Sequence, residues 1–286
     1  MNQKLVRIPS TDGIEQPGIL YTSDSDTDKI VIHVHGLYGN FYENKFLDIL
    51  AKAYTDKGYA YLTFNNRGRD AVAELSKGDE FPIIGASYER FRDCLFDIEG
   101  VLNWVKENGY HDIVLEGHSY GCNKVLYYYT KKKDLSIKKM VLLGPCDIQA
   151  ECKKFLSEEE YKTAKEEATR LVNEKKETEL IDFSVLPNKK ISAGTYYYDF
   201  LPGSETDFIR YRDGTKGKSE VLNKMDIPVL VIFGDSDECV LTEPIDVVES
   251  YLSHNIKDCT IEIIEKADHS YTHKELELGK IIKKEF

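Results

Sequence analysis

The chain is predicted to be an α/β protein, with a mostly parallel sheet covered by helices on both faces. Two observations lead there. Strand-like and helix-like segments alternate through residues 28–145 and again through 227–286. The strand-like segments are nearly continuous apolar runs, as expected where both faces of a strand are buried. At 286 residues the chain can close one large core without needing disulfides or metals.

The elements follow in order. "KLVRI" and "GILYT" flank the turn-rich "PSTDGIEQP" and read as an antiparallel hairpin. "DKIVIHVHG" is a buried strand, and "NKFLDILAKAYTDKG" has helical apolar spacing with a stop at Gly58. "YAYLTFNNRG" is a strand, and "SYERFRDCLFDIEGVLNWVKENG" a long helix ending at Gly109. "DIVLEGHS", "NKVLYYYTKKK" and "IKKMVLLGP" continue as strand, helix and strand. The alternation then stops. Residues 151–223, charged at first and then aromatic and turn-rich, are predicted to be a helical cap inserted over one end of the sheet. The core domain is thus 1–150 plus 224–286, resuming with "IPVLVIFGDSD", a helix over "PIDVVESYLSH", the strand "CTIEIIEKADH" and a terminal helix from Lys274.

Composition narrows the function classes. A net charge of -12 gives no global field for nucleic acid or anionic lipid. The lysine runs at Lys131 to Lys133 and at Lys189 and Lys190 read as solvated helix ends. The N-terminus lacks a signal-peptide core, and no apolar run approaches the ~20 residues that span a bilayer. Six cysteines without regular spacing read as reduced thiols. The expectation is a cytoplasmic protein with neither nucleic-acid nor membrane partners. No stretch marks a self-association interface, so a homo-oligomer is left open.

Chemistry concentrates at strand ends. "GHSYG" places Ser119 between Gly117 and Gly121, after a strand and before a helix. In that context G-x-S-x-G makes a sharp turn that exposes a nucleophilic serine. A serine hydroxyl needs a histidine to take its proton and a carboxylate to orient that histidine. After "PVLVIFG" come Asp235, Ser236, Asp237 and Glu238, and after the next strand comes His269. His269 and His273 have i,i+4 spacing but lack the glutamate of a zinc H-E-x-x-H motif, so no metal is expected. Developing negative charge also needs hydrogen-bond donors. "HVHGLYGNF" supplies His35-Gly36-Leu37-Tyr38-Gly39 after the first long strand. There the N–H of Leu37 would join that of Tyr120. His33 and His35 read as packing and loop-bonding residues.

The ordered set "HGLYG", "GHSYG", "GDSD" and "ADH" resembles the α/β-hydrolase superfamily over nearly the whole chain. The resemblance implies the α/β-hydrolase fold, Ser119 as nucleophile, His269 as base and Asp237 as acid, with Asp235 in reserve. "NNRGRD" is similar to the superfamily's D-x-R-G-x-G turn, with Asn65 in place of the acid and Asp70 in place of the last glycine. "TFNNRG" together with "GHSYGCNKVLYYY" is similar to hydrolases of largely unassigned activity related to siderophore esterases.

The expected function is therefore hydrolysis of a carboxylic ester of a small or medium-sized molecule through an acyl-enzyme, without a cofactor. A thioesterase, an amidase or a C–C bond hydrolase would use the same three residues. A ligand receptor on the same scaffold is the non-enzymatic alternative. The aromatic stretches "TYYYDF" and "FIRYR" fit either a pocket wall or the cap's own small core.

Overall fold

The computed structural model of the protein describes residues 1–181 and 190–286. Lys189 and the part of the predicted cap at 182–189 lie outside them. Eight strands form the central sheet: β1 (Asn2–Pro9), β2 (Glu15–Thr22), β3 (Lys29–Val34), β4 (Ala60–Phe64), β5 (Asp112–His118), β6 (Ile137–Leu143), β7 (Val229–Gly234) and β8 (Cys259–Ile264). Their order across the sheet is β1-β2-β4-β3-β5-β6-β7-β8. The β1–β2 hairpin is antiparallel and β2 runs antiparallel to β4. Every pair from β4 through β8 is parallel.

Alternating side chains of one strand serve opposite cores. Ile30, Ile32 and Val34 of β3 enter one cluster, and Val31 enters the other. Met140 and Leu142 of β6 likewise face away from Val141 and Leu143. The period of two, filled on both faces, is why these strands read as unbroken apolar runs.

The first face is covered by α2 (Cys94–Glu107), α3 (Tyr120–Lys132) and α7 (Ile245–Asn255), and the second by α1 (Phe46–Asp56) and α8 (Glu275–Glu285). The helix predicted from Ser87 is shorter than expected, beginning with a 3-10 turn at Phe91–Asp93 that leads into α2. Tertiary bonds displace its first turn. Arg90 is extended, the Phe91 N–H donates to Asp199 Oδ2 at 2.9 Å, and the Glu89 carboxylate is buried against Lys124.

Between β6 and β7 the chain adds α4 (Ile148–Phe155), α5 (Glu158–Asn173) and α6 (Ala193–Asp199), and among the described residues no strand of this stretch joins the central sheet. Ser157 and Glu160 form a reciprocal capping box at the start of α5. No helix among the described residues is long and apolar enough to cross a membrane.

Candidate active site

Strand order reverses about β3, because the chain steps from β3 to β4 on one side and then to β5 on the other. Such a reversal opens a crevice at the carboxyl ends of the strands, where ligands of open α/β sheets bind. The loops after β3 and β5 meet there. Ser119 occupies the turn between β5 and α3 with φ 55° and ψ -127°, a conformation costly for a residue with a side chain. Its flanking glycines permit the turn by close approach. A Cβ on Gly117 would lie 2.5 Å from Gly121 O, and one on Gly121 would lie 2.1 Å from Val34 O.

A cavity of about 280 Å³ lies above this turn, lined among others by Gly36, Leu37, Ser119, Tyr120 and His269. Tyr120 opens α3, so its N–H is among those a helix leaves without an intrahelical acceptor. Leu37 sits on the opposite loop, whose next residue, Tyr38, has φ 62°. His35 holds that loop from beneath. It is fully buried, its Nδ1 donates to Gly36 O at 2.9 Å and its Nε2 accepts the Asn66 N–H at 3.2 Å. Burial keeps its pKa well below the ordinary histidine value, so it is a neutral, bonding imidazole.

A histidine–carboxylate pair is formed on the far wall. His269 Nδ1 lies 2.9 Å from Asp237 Oδ1 and 3.0 Å from Oδ2. Asp237 is fully buried and also accepts the N–H groups of Cys239 and Val240. Burial alone would raise the Asp237 pKa. The charge and hydrogen bond of His269, with the two N–H groups, outweigh it and hold the carboxyl below its usual range. Burial disfavours the imidazolium of His269, and the Asp237 carboxylate more than compensates, so the His269 pKa lies above the ordinary value. Asp235, the reserve acid, is exposed and caps a turn by accepting the Lys266 N–H at 2.6 Å. It is not brought to His269.

The serine and histidine share the cavity but are not hydrogen-bonded. Ser119 Oγ points toward Cys146 Sγ at 4.0 Å, and His269 Nε2 has no partner among the described residues. Hydrogen bonds at sites of this kind are commonly loose without substrate.

Several supports carry no motif in the sequence. His118, the variable residue of "GHSYG", donates from Nε2 to His269 O at 2.9 Å and so anchors the base's loop. Burial pushes the His118 pKa down to about 3, so it stays neutral. Lys124 Nζ, fully buried under the cavity, bonds Glu89 Oε1 and Asn66 Oδ1 and ties α3 to the loop after β4. Asn65, in place of the superfamily's acid, accepts the Phe41 N–H instead. Arg67 of the same turn is paired with Asp97 and Asp12. Glu151 of α4, in a stretch that reads as an ordinary charged helix, lines the cavity. Of the aromatic side chains in "TYYYDF" and "FIRYR", Phe200 lines the cavity and stacks on Tyr120, and Phe200, Tyr196 and Tyr211 all belong to the first core cluster. The pocket-wall reading thus holds for Phe200, while Tyr196 and Tyr211 join the core against the sheet rather than a separate small one.

Among the described residues, one set of potential metal donors lies close together: Asp237, Cys239 and His269. All six cysteines are free thiols.

Residues 25–277 match the family model described as serine aminopeptidase, S33. No curated protein sequence matches the chain. Among solved structures, the chain is similar to Est1E from Butyrivibrio proteoclasticus with ferulic acid bound, at 20% identity and a TM-score of 0.66, covering 98% of this chain and 96% of that one. It is also similar to an alpha-beta serine hydrolase homologue from Coxiella burnetii, at 16% identity and a TM-score of 0.60, covering 100% and 98%. A serine hydrolase without a lid from Xanthomonas campestris gives 15% identity and a TM-score of 0.57, over 99% and 93%. At such identities these structures speak for the fold. The family match spans most of the sheet and both loops that frame the cavity, and on it the chain belongs to the S33 serine aminopeptidase family of α/β serine hydrolases.

Proposed function

We propose that this protein hydrolyses a carboxylic ester of a small or medium-sized molecule through an acyl-enzyme on Ser119. The observation that carries the reading is the His269–Asp237 pair, whose unpartnered Nε2 shares a cavity with a strained serine.

Ser119 Oγ swings from Cys146 to His269 Nε2 and gives up its proton as it attacks the ester carbonyl. Asp237 keeps the remaining proton on Nδ1 and stabilises the imidazolium. The oxyanion meets the N–H groups of Leu37 and Tyr120, each such donor typically contributing ~3–4 kcal/mol. The imidazolium protonates the departing alkoxide, and a water deprotonated by His269 then releases the acid. No step calls for a cofactor. The cavity lies near the lower end of the ~300–1,000 Å³ range of ligand pockets, which favours a compact acyl group packed against Phe200, Leu37 and Ile148.

The test is the intact mass of the protein after exposure to a fluorophosphonate, with Ser119→Ala alongside. One adduct on the wild type and none on the variant is expected. No adduct on well-folded wild type would sink the proposal.

A further inference from the structure

The wall that holds the base carries more donors than ester hydrolysis uses. Cys239 follows Asp237 by two residues because the loop after β7 folds back, and its N–H bonds Asp237 Oδ1. The donor atoms of Asp237, Cys239 and His269 all lie within 4.8 Å of one another. The Glu151 carboxylate of α4 lines the same cavity beside Cys239 and His269. Glu151, Cys239 and His269 all line the cavity, so the cluster can be reached from it. Among the described residues neither Lys nor Arg lines that cavity, whereas Glu43 and Glu151 do. Its field therefore favours a cation.

We propose that Cys239, His269 and Asp237 form a binding site for a thiophilic divalent cation of the zinc type, with the Glu151 carboxylate beside it adding negative charge, and that the bound ion disables the hydrolase by taking its base. Tetrahedral zinc with sulfur at ~2.3 Å and nitrogen or oxygen at ~2.0–2.2 Å places its donors roughly 3.3–3.8 Å apart. Donor atoms that already lie within 4.8 Å of one another need to close by no more than about 1 Å to reach it. A thiol and an imidazole select zinc or cadmium over magnesium or calcium, which take oxygen ligands. On binding, the Cys239 S–H proton leaves to solvent and a metal–sulfur bond forms, while the His269 proton moves from Nδ1 to Nε2, so that Nδ1 gives its lone pair to the ion and Nε2 can no longer accept the serine proton. The oxidation state of every atom is unchanged, so removal of the ion restores the base.

Two measurements test this, and only the second rests on the hydrolase reading. In the first, the protein is titrated with cadmium alone and the ultraviolet cadmium–thiolate absorption is followed. The wild type is expected to develop the band at one equivalent, Cys239→Ala to lack it, and Glu151→Gln to keep it with roughly tenfold weaker binding. Glu151→Gln preserves side-chain shape and serves if Cys239→Ala does not fold. A wild type without the band, a band that persists in Cys239→Ala, or Glu151→Gln binding as tightly as wild type would overturn the site. In the second, the rate of fluorophosphonate labelling at Ser119 is followed against buffered free zinc, each variant being compared with its own metal-free rate. Zinc should slow the wild type about tenfold or more and magnesium should not, the effect being lost with the Cys239 thiol. Equal slowing in Cys239→Ala would overturn the inhibitory role. Absence of any labelling without metal would count against the hydrolase reading alone, since the cadmium titration still decides the site.

Discussion

His33 and His269 each place Nδ1 against a buried carboxylate, at 2.7 Å from Glu116 and 2.9 Å from Asp237. In both, Nε2 lacks a hydrogen-bond partner among the described residues. Yet the surroundings set them apart. Glu116 is also bonded by the hydroxyls of Tyr54 and Tyr61, and the His33 ring packs against Phe46 and Tyr61 within the second core. His269 instead opens onto a cavity that also holds Ser119. A buried histidine–carboxylate pair is therefore not in itself a catalytic signature. What distinguishes the second pair is that its free nitrogen faces space a substrate can enter, beside a nucleophile.

Asp237→Asn is the sharpest way to break the comparison. Without the carboxylate the imidazole loses its fixed tautomer, and kcat should fall about 10³–10⁴-fold. Asp235→Asn, on the same loop but turned to solvent, should stay within about twofold. Steady-state kinetics on any accepted ester separates them, and comparable losses in both would undo the assignment of the acid.

Glu116→Gln should do the reverse. Two tyrosine hydroxyls and His33 would face a weaker acceptor in a dry core, costing about 1–3 kcal/mol of stability. Urea denaturation would show this as a lower midpoint, while labelling of Ser119 in the folded protein stays close to wild type. A loss of labelling with unchanged stability would mean that the structural pair had been misjudged.

A smaller effect is expected at Gly144, which has φ 61° and packs against the His269–Asp237 pair. A Cβ there would lie 3.0 Å from His269 Cε1 and 3.1 Å from Asp237 Oδ2. Gly144→Ala should cost about 1–2 kcal/mol through the left-handed backbone and lower kcat by roughly tenfold as the imidazole shifts. An unchanged kcat would show that the pair has slack at this face.

The smallest effect is a displaced pH profile. The base must be neutral to act, so activity is lost as pH falls through the His269 pKa. Asp237 raises that pKa, so the acidic limb of kcat/KM should have its midpoint above about 6.5. In Asp237→Asn the residual activity should show its limb at lower pH. A wild-type limb below the ordinary histidine range would mean that burial, not Asp237, governs the base.

Much of this was legible in the chain. Continuous apolar runs gave the parallel strands, because both faces of each are buried. The glycines about Ser119 signalled a turn too tight for side chains. His269 was legible because no other histidine follows a strand after the acidic loop. The choice between Asp237 and Asp235 was not, because two carboxylates two residues apart carry the same local pattern. Only the folded loop turns one inward and the other to solvent. Nor did any local pattern single out Glu151, His118 or Lys124, whose partners lie far away in sequence. The start of α2 was misplaced for a similar reason, since Asp199 takes the N–H of Phe91 from over a hundred residues away.

By itself the sequence determined the order of elements, the sharp turn at Ser119 and the chain order of Ser119, Asp237 and His269. All of these follow from periodicity and local backbone sterics. Tertiary structure decided which carboxylate meets His269, which aromatic reaches the cavity, and that Cys239 and Glu151 stand beside the base. Burial and through-space contact set those, and neither is encoded in the spacing of neighbouring residues.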